Sequence, residues 1–286
     1  MAKPASTRRE RPAWCPSESC VRAVQAEVLA WFDDHGRDLP WRKTRDPYRI
    51  LVSEIMLQQT QVSRVIPAFL GFIERFPTIS SLAASRTADV LRCWQGLGYN
   101  RRARMLHQTA VQVTSLHPGE FPHDLDGLTR LPGIGSYTAR AICCFAFDLQ
   151  VAVVETNTRR AIQFFAGREG VTIPACQIQQ VADRLLPKGR AWSWNQALID
   201  FGAALPRTPA RTRPGKAEPF AQSDRFWRGR VLATLCSTDS ALGFGELLAR
   251  LPGNPDAVRV RELVQRLASE RLIWLDQESD NISLPP

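Results

Sequence analysis

Apolar residues recur at three- and four-residue intervals over most of the first 205 positions, the period of a helix with one buried face. Val21, Val24, Val28, Trp31 and Phe32 share a face and predict a helix over 20–35. Arg37-Asp38-Leu39-Pro40-Trp41-Arg42 breaks the period as an irregular connector. A second helix starts beside Pro47, a residue suited to a first turn, and runs from Ile50 through Gln61. Phe69, Phe72, Ile73 and Phe76 extend the pattern to Pro77, and Ser80-Ser81-Leu82-Ala83 opens a helix through Val90, Leu91 and Trp94. Two further helices are predicted over 177–186 and 193–204, and no stretch before 205 reads as a strand.

Four interruptions carry candidate chemistry. In Leu131-Pro132-Gly133-Ile134-Gly135-Ser136-Tyr137-Thr138-Ala139-Arg140, Pro-Gly-x-Gly separates apolar periods on either side (Leu125, Leu128 and Leu131 before; Ala139, Ala141, Ile142 and Phe145 after). The reading is helix, tight turn, helix, with both glycines free to take a positive φ. Amides at the mouth of the second helix would make an anion site, and an ordinary glycine turn fits almost as well. Gly96-Leu97-Gly98-Tyr99-Asn100, followed by Arg101, Arg102 and Arg104, is a turn that seats a phosphate or a charged, solvated face. Glu54 lies inside an apolar run, four residues before Gln58 and on its face. It is either paired in the core or displayed into a cleft, while Gln58 and Gln59 either cap the helix end or reach toward a base edge. Finally, Val151–Val154 ends in Glu155-Thr156-Asn157-Thr158-Arg159-Arg160. Thr156 or Asn157 is the expected N-cap of the next helix, and Glu155 either complements its dipole or is held at a cleft by it.

Beyond 205 the pattern changes. Residues 206–219 hold four prolines, four basic residues and one acid, the composition of a linker. Ser223-Asp224 then caps a helix through Trp227, Val231 and Leu235, with further helices over 244–251 and 256–270. Runs at 272–275 and 281–284 read as a hairpin. Three helices and a terminal hairpin predict a small winged-helix-like module.

The formal charge of +9 and a pI of 9.6 favour a polyanionic partner, nucleic acid being the commonest soluble one. No apolar run approaches the ~20 residues of a membrane span. Residues 1–16 carry Lys3, Arg8, Arg9 and Arg11 without a following apolar stretch, so they read as a disordered basic arm rather than a secretory signal. Seven scattered cysteines, two of them adjacent at 143 and 144, suit a reducing cytoplasm.

Taken together, the segments resemble the helix-hairpin-helix DNA glycosylases, and among them the MutY-type adenine glycosylases. The carrying motifs are Leu39-Pro40-Trp41-Arg42, the string from Ser53-Glu54 through Gln58-Gln59-Thr60-Gln61-Val62, Gly96-Leu97-Gly98-Tyr99, and Leu131 to Ala139. The resemblance covers roughly 21–204. It implies an all-α, two-lobed helix-hairpin-helix glycosylase fold. One lobe, 46–150, would hold the hairpin motif at 125–147; the other would combine 18–45 with 151–205. A basic arm (1–17), a linker (206–221) and the C-terminal module (222–286) complete the expected organisation.

The resemblance also implies roles. Glu54 would be the general acid that protonates the purine, worth ~10²–10⁴-fold, with apolar neighbours holding its proton on. Glu155 occupies the position of the family's aspartate beneath the oxocarbenium-like sugar. Asn157 and Tyr137 match family residues beside that site. Gln59, with Gln58, would fill the stack left by a flipped base. Thr60, Leu97, Gly98, Tyr99 and Arg101, together with Pro132, Gly133, Ile134, Gly135 and Thr138 of the hairpin, would contact DNA. Tyr137 stands where bifunctional relatives carry a lysine, so strand cleavage should be weak. The implied partner is double-stranded DNA with a mismatch or oxidised guanine. The protein would act as a monomer in the cytoplasm, at the nucleoid, without a membrane.

Three departures qualify this picture. The family's four cluster-binding cysteines are missing from 205–220, so no [4Fe–4S] cluster and no other cofactor or metal is expected. Glutamate replaces aspartate at 155, a displacement on the order of 1 Å that can cost ~10²-fold. The tail does not resemble the family's β-rich domain for 8-oxoguanine. The leading expectation is a monofunctional glycosylase for adenine opposite guanine or 8-oxoguanine. The alternatives are a thymine or uracil mismatch glycosylase, and a catalytically impaired lesion-binding protein.

Overall fold

The computed structural model describes residues 14–116, 120–206, 219–253 and 255–286. In chain order the helices are α1 (Glu18–His35), α2 (Pro47–Leu57), α3 (Val62–Arg75), α4 (Ile79–Ala83), α5 (Thr87–Cys93), α6 (Arg101–Leu116) and α7 (Leu125–Thr129). They continue with α8 (Ser136–Phe145), α9 (Thr156–Arg168), α10 (Ile178–Leu185), α11 (Ala191–Ala204), α12 (Asp224–Cys236), α13 (Phe244–Arg250) and α14 (Ala257–Ser269). Three short strands, β1 (Leu242–Gly243), β2 (Trp274–Leu275) and β3 (Asn281–Ser283), pair antiparallel in the order β1-β3-β2. Among the described residues the fold is thus all-α apart from this small sheet. The basic arm before residue 14 and the linker at 207–218 lie outside the described residues.

Several expected boundaries move, each for a local reason. The helix expected from Ser80 to Trp94 is two helices. A Thr78–Ser81 capping box starts α4, and the Ser85 hydroxyl donates to the Leu82 carbonyl at 2.6 Å, diverting the chain before α5. The helix expected to reach Gln61 stops at Leu57. Helix α6, unrecognised in the sequence, is sixteen residues long and buries Ala103, Leu106, Ala110 and Val113 on one stripe. Strand β1 was also not foreseen; it adds to the expected hairpin by pairing Leu242 with Ile282.

The chain divides into two compact units: Met1–Ile50, His123–Leu125 and Gly135–Pro209, and Leu51–Pro122, Asp126–Ile134 and Ala210–Pro286. The first is built on Val21, Val24 and Val28 of α1, Ile162 and Phe165 of α9, Val181 and Leu185 of α10, and Trp194, Leu198 and Phe201 of α11. Helix α8, expected in the other lobe, belongs here. Buried Asn195 of α11 donates to Cys144 Sγ of α8 and to the carbonyls of Val151 and Ala191, and accepts from Val153 N–H at 2.7 Å. One amide side chain therefore ties α8, α11 and the extended 151–154 segment together.

In the second unit Phe72 meets Trp94 edge-on in a core with Val65, Phe69, Leu82, Leu91 and Leu106. The C-terminal module has its own core of Val231, Leu235, Leu247, Val260, Leu263, Leu267 and Ile282. It joins the same unit through Arg92 of α5, which donates to the Cys236 and Thr238 carbonyls.

Candidate active site

In the second unit one helix carries three turns. Arg102, Met105 and Thr109 follow each other along α6 at helical spacing. Arg102 donates through one terminal nitrogen to the carbonyls of Ile55 (2.7 Å), Met56 (3.0 Å) and Gln58 (2.6 Å). Through the other it donates to Thr60 Oγ1 and to the carbonyls of Leu97 and Gly98. Met105 lies under Gly133, where a Cβ would approach the methionine Cβ to 2.8 Å. Thr109 donates its hydroxyl to the Pro132 carbonyl at 2.6 Å.

Arg102 explains why α2 ends where it does. The last carbonyls of a helix lack partners, and here a guanidinium supplies them. Gln59 then takes a left-handed φ of 54° and leaves the helix axis. Gln58 and Gln59 accordingly sit on a turn, and Gln59 is exposed. They do not continue the helical face of Glu54. Glu54 itself is 6 % exposed in α2, among buried Leu51, Val52, Ile55 and Met56.

Arg102 is correspondingly not free for a phosphate. Burial pushes its guanidinium down to about 10, and it lies over the Trp94 and Tyr99 rings. Gly96, Gly98 and Tyr99 all have positive φ, and the turn presents Tyr99 at 45 % exposure beside exposed Arg101. Leu97 is buried, so that position can offer only backbone.

The hairpin follows between α7 and α8. Gly133 takes φ +74°, as a glycine must here. Gly135 does not: it is the N-cap of α8 with φ −89°, and space is open beside it. Pro132 is half-buried and Ile134 buried against the core. Ala139 N–H bonds back to the Gly135 carbonyl in the first turn of α8. Thr138, expected to touch DNA, is only 2 % exposed and is a core residue. Tyr137, one residue earlier, is half-buried in the first turn of α8.

In the first unit Glu155 is itself the N-cap of α9, where Thr156 or Asn157 was expected. Its longer side chain folds back so that Oε1 accepts from the amides of Asn157 (2.7 Å) and Thr158 (2.9 Å). Burial pushes the carboxyl above the ordinary glutamate value, and the amide bonds only partly offset it. The Asn157 side chain accepts from Arg160, whose other nitrogen donates to the Leu205 carbonyl as the chain leaves α11. Behind this cap stands Gly202 of α11: a Cβ there would lie 1.9 Å from the Asn157 carbonyl oxygen.

A buried ion-pair cluster completes that unit. Asp200 of α11, 2 % exposed, receives both Arg37 and Arg42. Burial acts to raise its pKa, and the Arg42 and Arg37 hydrogen bonds overcome this and hold it below the ordinary range. Arg42 belongs to the Leu-Pro-Trp-Arg string, so that string and the Asp200 segment are two halves of one ion pair. Asn195 and Gly202 carried no sequence signal of their own, being common residues inside an apolar helix.

Among the described residues no three Cys, His, Asp or Glu side chains gather as a metal site, and the remaining residues contain no cysteine. Cys143 and Cys144 are buried in α8, and Cys93 and Cys236 belong to the other unit. The thiolate set a [4Fe–4S] cluster needs is not assembled, so these residues do not fit one.

A helical protein whose glycine hairpin opens a helix just before a carboxylate-capped one has the features of a helix-hairpin-helix repair glycosylase. Residues 52–270 match the model of the HhH-GPD superfamily base excision DNA repair proteins, and the chain belongs to that family. Within it the chain is a DNA N-glycosylase, hydrolysing N-glycosyl bonds. It is 41 % identical to the adenine DNA glycosylase of Mycolicibacterium smegmatis, over 73 % of this chain and 79 % of that protein. Identity to the adenine DNA glycosylase of Mycobacterium tuberculosis is 38 %, over 81 % and 85 %. Among solved structures, a thermostable thymine-DNA glycosylase matches at 28 % identity and a TM-score of 0.61, over 68 % of this chain and 90 % of that one.

Proposed function

We propose that the enzyme removes adenine mispaired with guanine or 8-oxoguanine, without cleaving the strand. The observation that carries the reading is Glu54, a buried carboxyl in the last turns of α2, immediately before the Gln58–Thr60 turn that Arg102 fixes. An environment that disfavours a bare charge suits a group that must carry and give up a proton. The adenine-specific names of the relatives support the choice of base.

In this reading the target base leaves the stack, because a base inside a duplex is out of reach. Gln59 and Tyr99, both exposed on turns, enter the space it vacates. The hairpin amides hold the phosphodiester. Glu54 protonates the purine ring, and the N-glycosidic bond breaks with its electrons moving to the base. The positive charge that develops on the sugar calls for a carboxylate, the role this reading gives to Glu155. Water adds to C1′ and releases its proton to solvent, with Asn157 and Tyr137 assigned beside this step. No step runs through a cluster.

The test is single-turnover base release from duplexes carrying A:8-oxoG, A:G, T:G and U:G, with alkali added afterwards. Adenine release that falls at least ~10²-fold in Glu54→Gln is expected. Release of pyrimidine alone would transfer the protein to the mismatch reading that its likeness to a thymine-DNA glycosylase favours. Tight binding without any release would make it a lesion binder.

A further inference from the structure

The second unit holds a cavity of about 1010 Å³. One side is the Gln58–Gln59 turn and the Gly96–Arg101 turn; the other is α12 of the C-terminal module. Helix α12 presents Arg225, Gly229, Leu232 and Cys236 to it, successive positions of one helical face. Arg225 lies over the Tyr99 ring at 4.7 Å. The acid on the wall, Glu270, is bound bidentately by Arg228. Among the described residues Arg101, Arg225 and Arg230 make no ion pair, and all three are exposed on the cavity wall.

Helix α14, the third helix of a winged-helix arrangement and the one such modules place in a groove, has the opposite character. Its Arg259 and Arg266 bind Asp224, and Arg261 binds Asp280 bidentately. Its outward face carries Val258, 70 % exposed, and Gln265.

We infer that α12, and not α14, is the nucleic-acid face of the C-terminal module: Arg225 and Arg230 receive backbone phosphate of a DNA strand whose nucleotide occupies the cavity beside Tyr99. The cavity is roomy enough to admit a nucleotide, and the unpaired cations supply its counter-charge. Gly229 is a poor helix former in the middle of α12, and open space stands where its side chain would be. No side chain projects from this position of the cavity lining. The inference rests on the glycosylase reading only in taking DNA as the partner.

The test is binding of the full-length protein to a fluorescent duplex bearing an uncleavable tetrahydrofuran abasic site, measured by anisotropy across a range of salt. Arg225→Gln with Arg230→Gln should weaken binding about 10-fold and flatten the log K against log salt slope by about 2. Gly229→Phe should weaken it comparably, while Gly229→Ala should not. Val258→Glu with Gln265→Glu should leave binding unchanged. An unchanged slope in the arginine pair, or a loss in the α14 pair, overturns the inference. Failure of adenine release with these binding effects intact would instead sink only the base assignment.

Discussion

Two helix ends, one in each unit, carry candidate residues, and they solve one problem in opposite senses. Helix α2 ends with carbonyls that need donors, and Arg102 reaches in from α6 to supply them. Helix α9 begins with amides that need acceptors, and Glu155 bends back to supply one. In the sequence both residues look available: one as a phosphate ligand, the other as a carboxylate in a cleft. In the fold both terminal nitrogens of the arginine are committed to carbonyls and a hydroxyl. The glutamate takes both its amide bonds on Oε1 while burial makes its charge costly. The first serves function by holding others in place; the second can cap a helix and still change its charge.

The largest effect should come from the support behind α9. Gly202→Ala puts a methyl where the Asn157 carbonyl already stands, and backbone on both sides leaves no flexible tip to yield. A loss on the order of 3 kcal/mol is expected, read as a lower denaturant midpoint at unchanged m-value. Unaltered stability would mean that α9 and α11 approach less closely than the structure has them.

Next comes the other helix end. Arg102→Ala removes the donor from the carbonyls that end α2, and a net hydrogen bond to a charged group is worth about 1.5–3 kcal/mol. A loss of about 2–4 kcal/mol is expected, with base release falling further than stability requires because Gln59 loses its fixed turn. Arg102→Lys should restore little, since a point charge cannot span the same acceptors as a planar fork. Full rescue by lysine, in thermal unfolding and in single-turnover release, would show that charge rather than geometry is what α2 needs.

These two sites also mark what the chain could tell before its structure. The motifs of the turns were legible because Gly96, Gly98 and Gly133 are local punctuation, visible in any short window. The helix that organises the turns was not. The stripe of α6 is hidden by Arg101, Arg102, Arg104, His107 and Gln108, and its three working residues face carbonyls and a glycine nearby in space but distant in sequence. Helix ends failed for the same reason: the stop at Leu57 is dictated by Arg102, forty-odd positions away. Glu155 was missed as a cap because glutamate is a poor one in general; its longer side chain reaches back here from an extended backbone at Glu155 itself, φ −119° and ψ −170°. Gly202, Asn195 and the Asp200 pairing depend on which helices touch, something no window of sequence contains.

The smallest and most discriminating effect belongs to Glu155. Loss of the cap in Glu155→Ala should cost about 1 kcal/mol, whereas Glu155→Gln keeps an acceptor oxygen and loses the charge. Burial raises the folded carboxyl above the ordinary value of 4.5, so the folded protein holds this proton more tightly than the unfolded chain does. The group's contribution to stability is therefore full below 4.5 and is lost as pH rises through the folded pKa. Catalysis needs the opposite form, because only the carboxylate can face a sugar cation. Measured against Glu155→Gln, the wild type should lose relative thermal stability as pH climbs from acid to neutral, while its single-turnover rate climbs over the same interval. The variant should release base at least ~10²-fold more slowly and show no such limb. Coincident limbs of opposite sign would tie cap and catalysis to one carboxyl. A rate limb well below the stability limb would mean that the two properties belong to different groups, and that the α9 cap, like Arg102 at the end of α2, is structural alone.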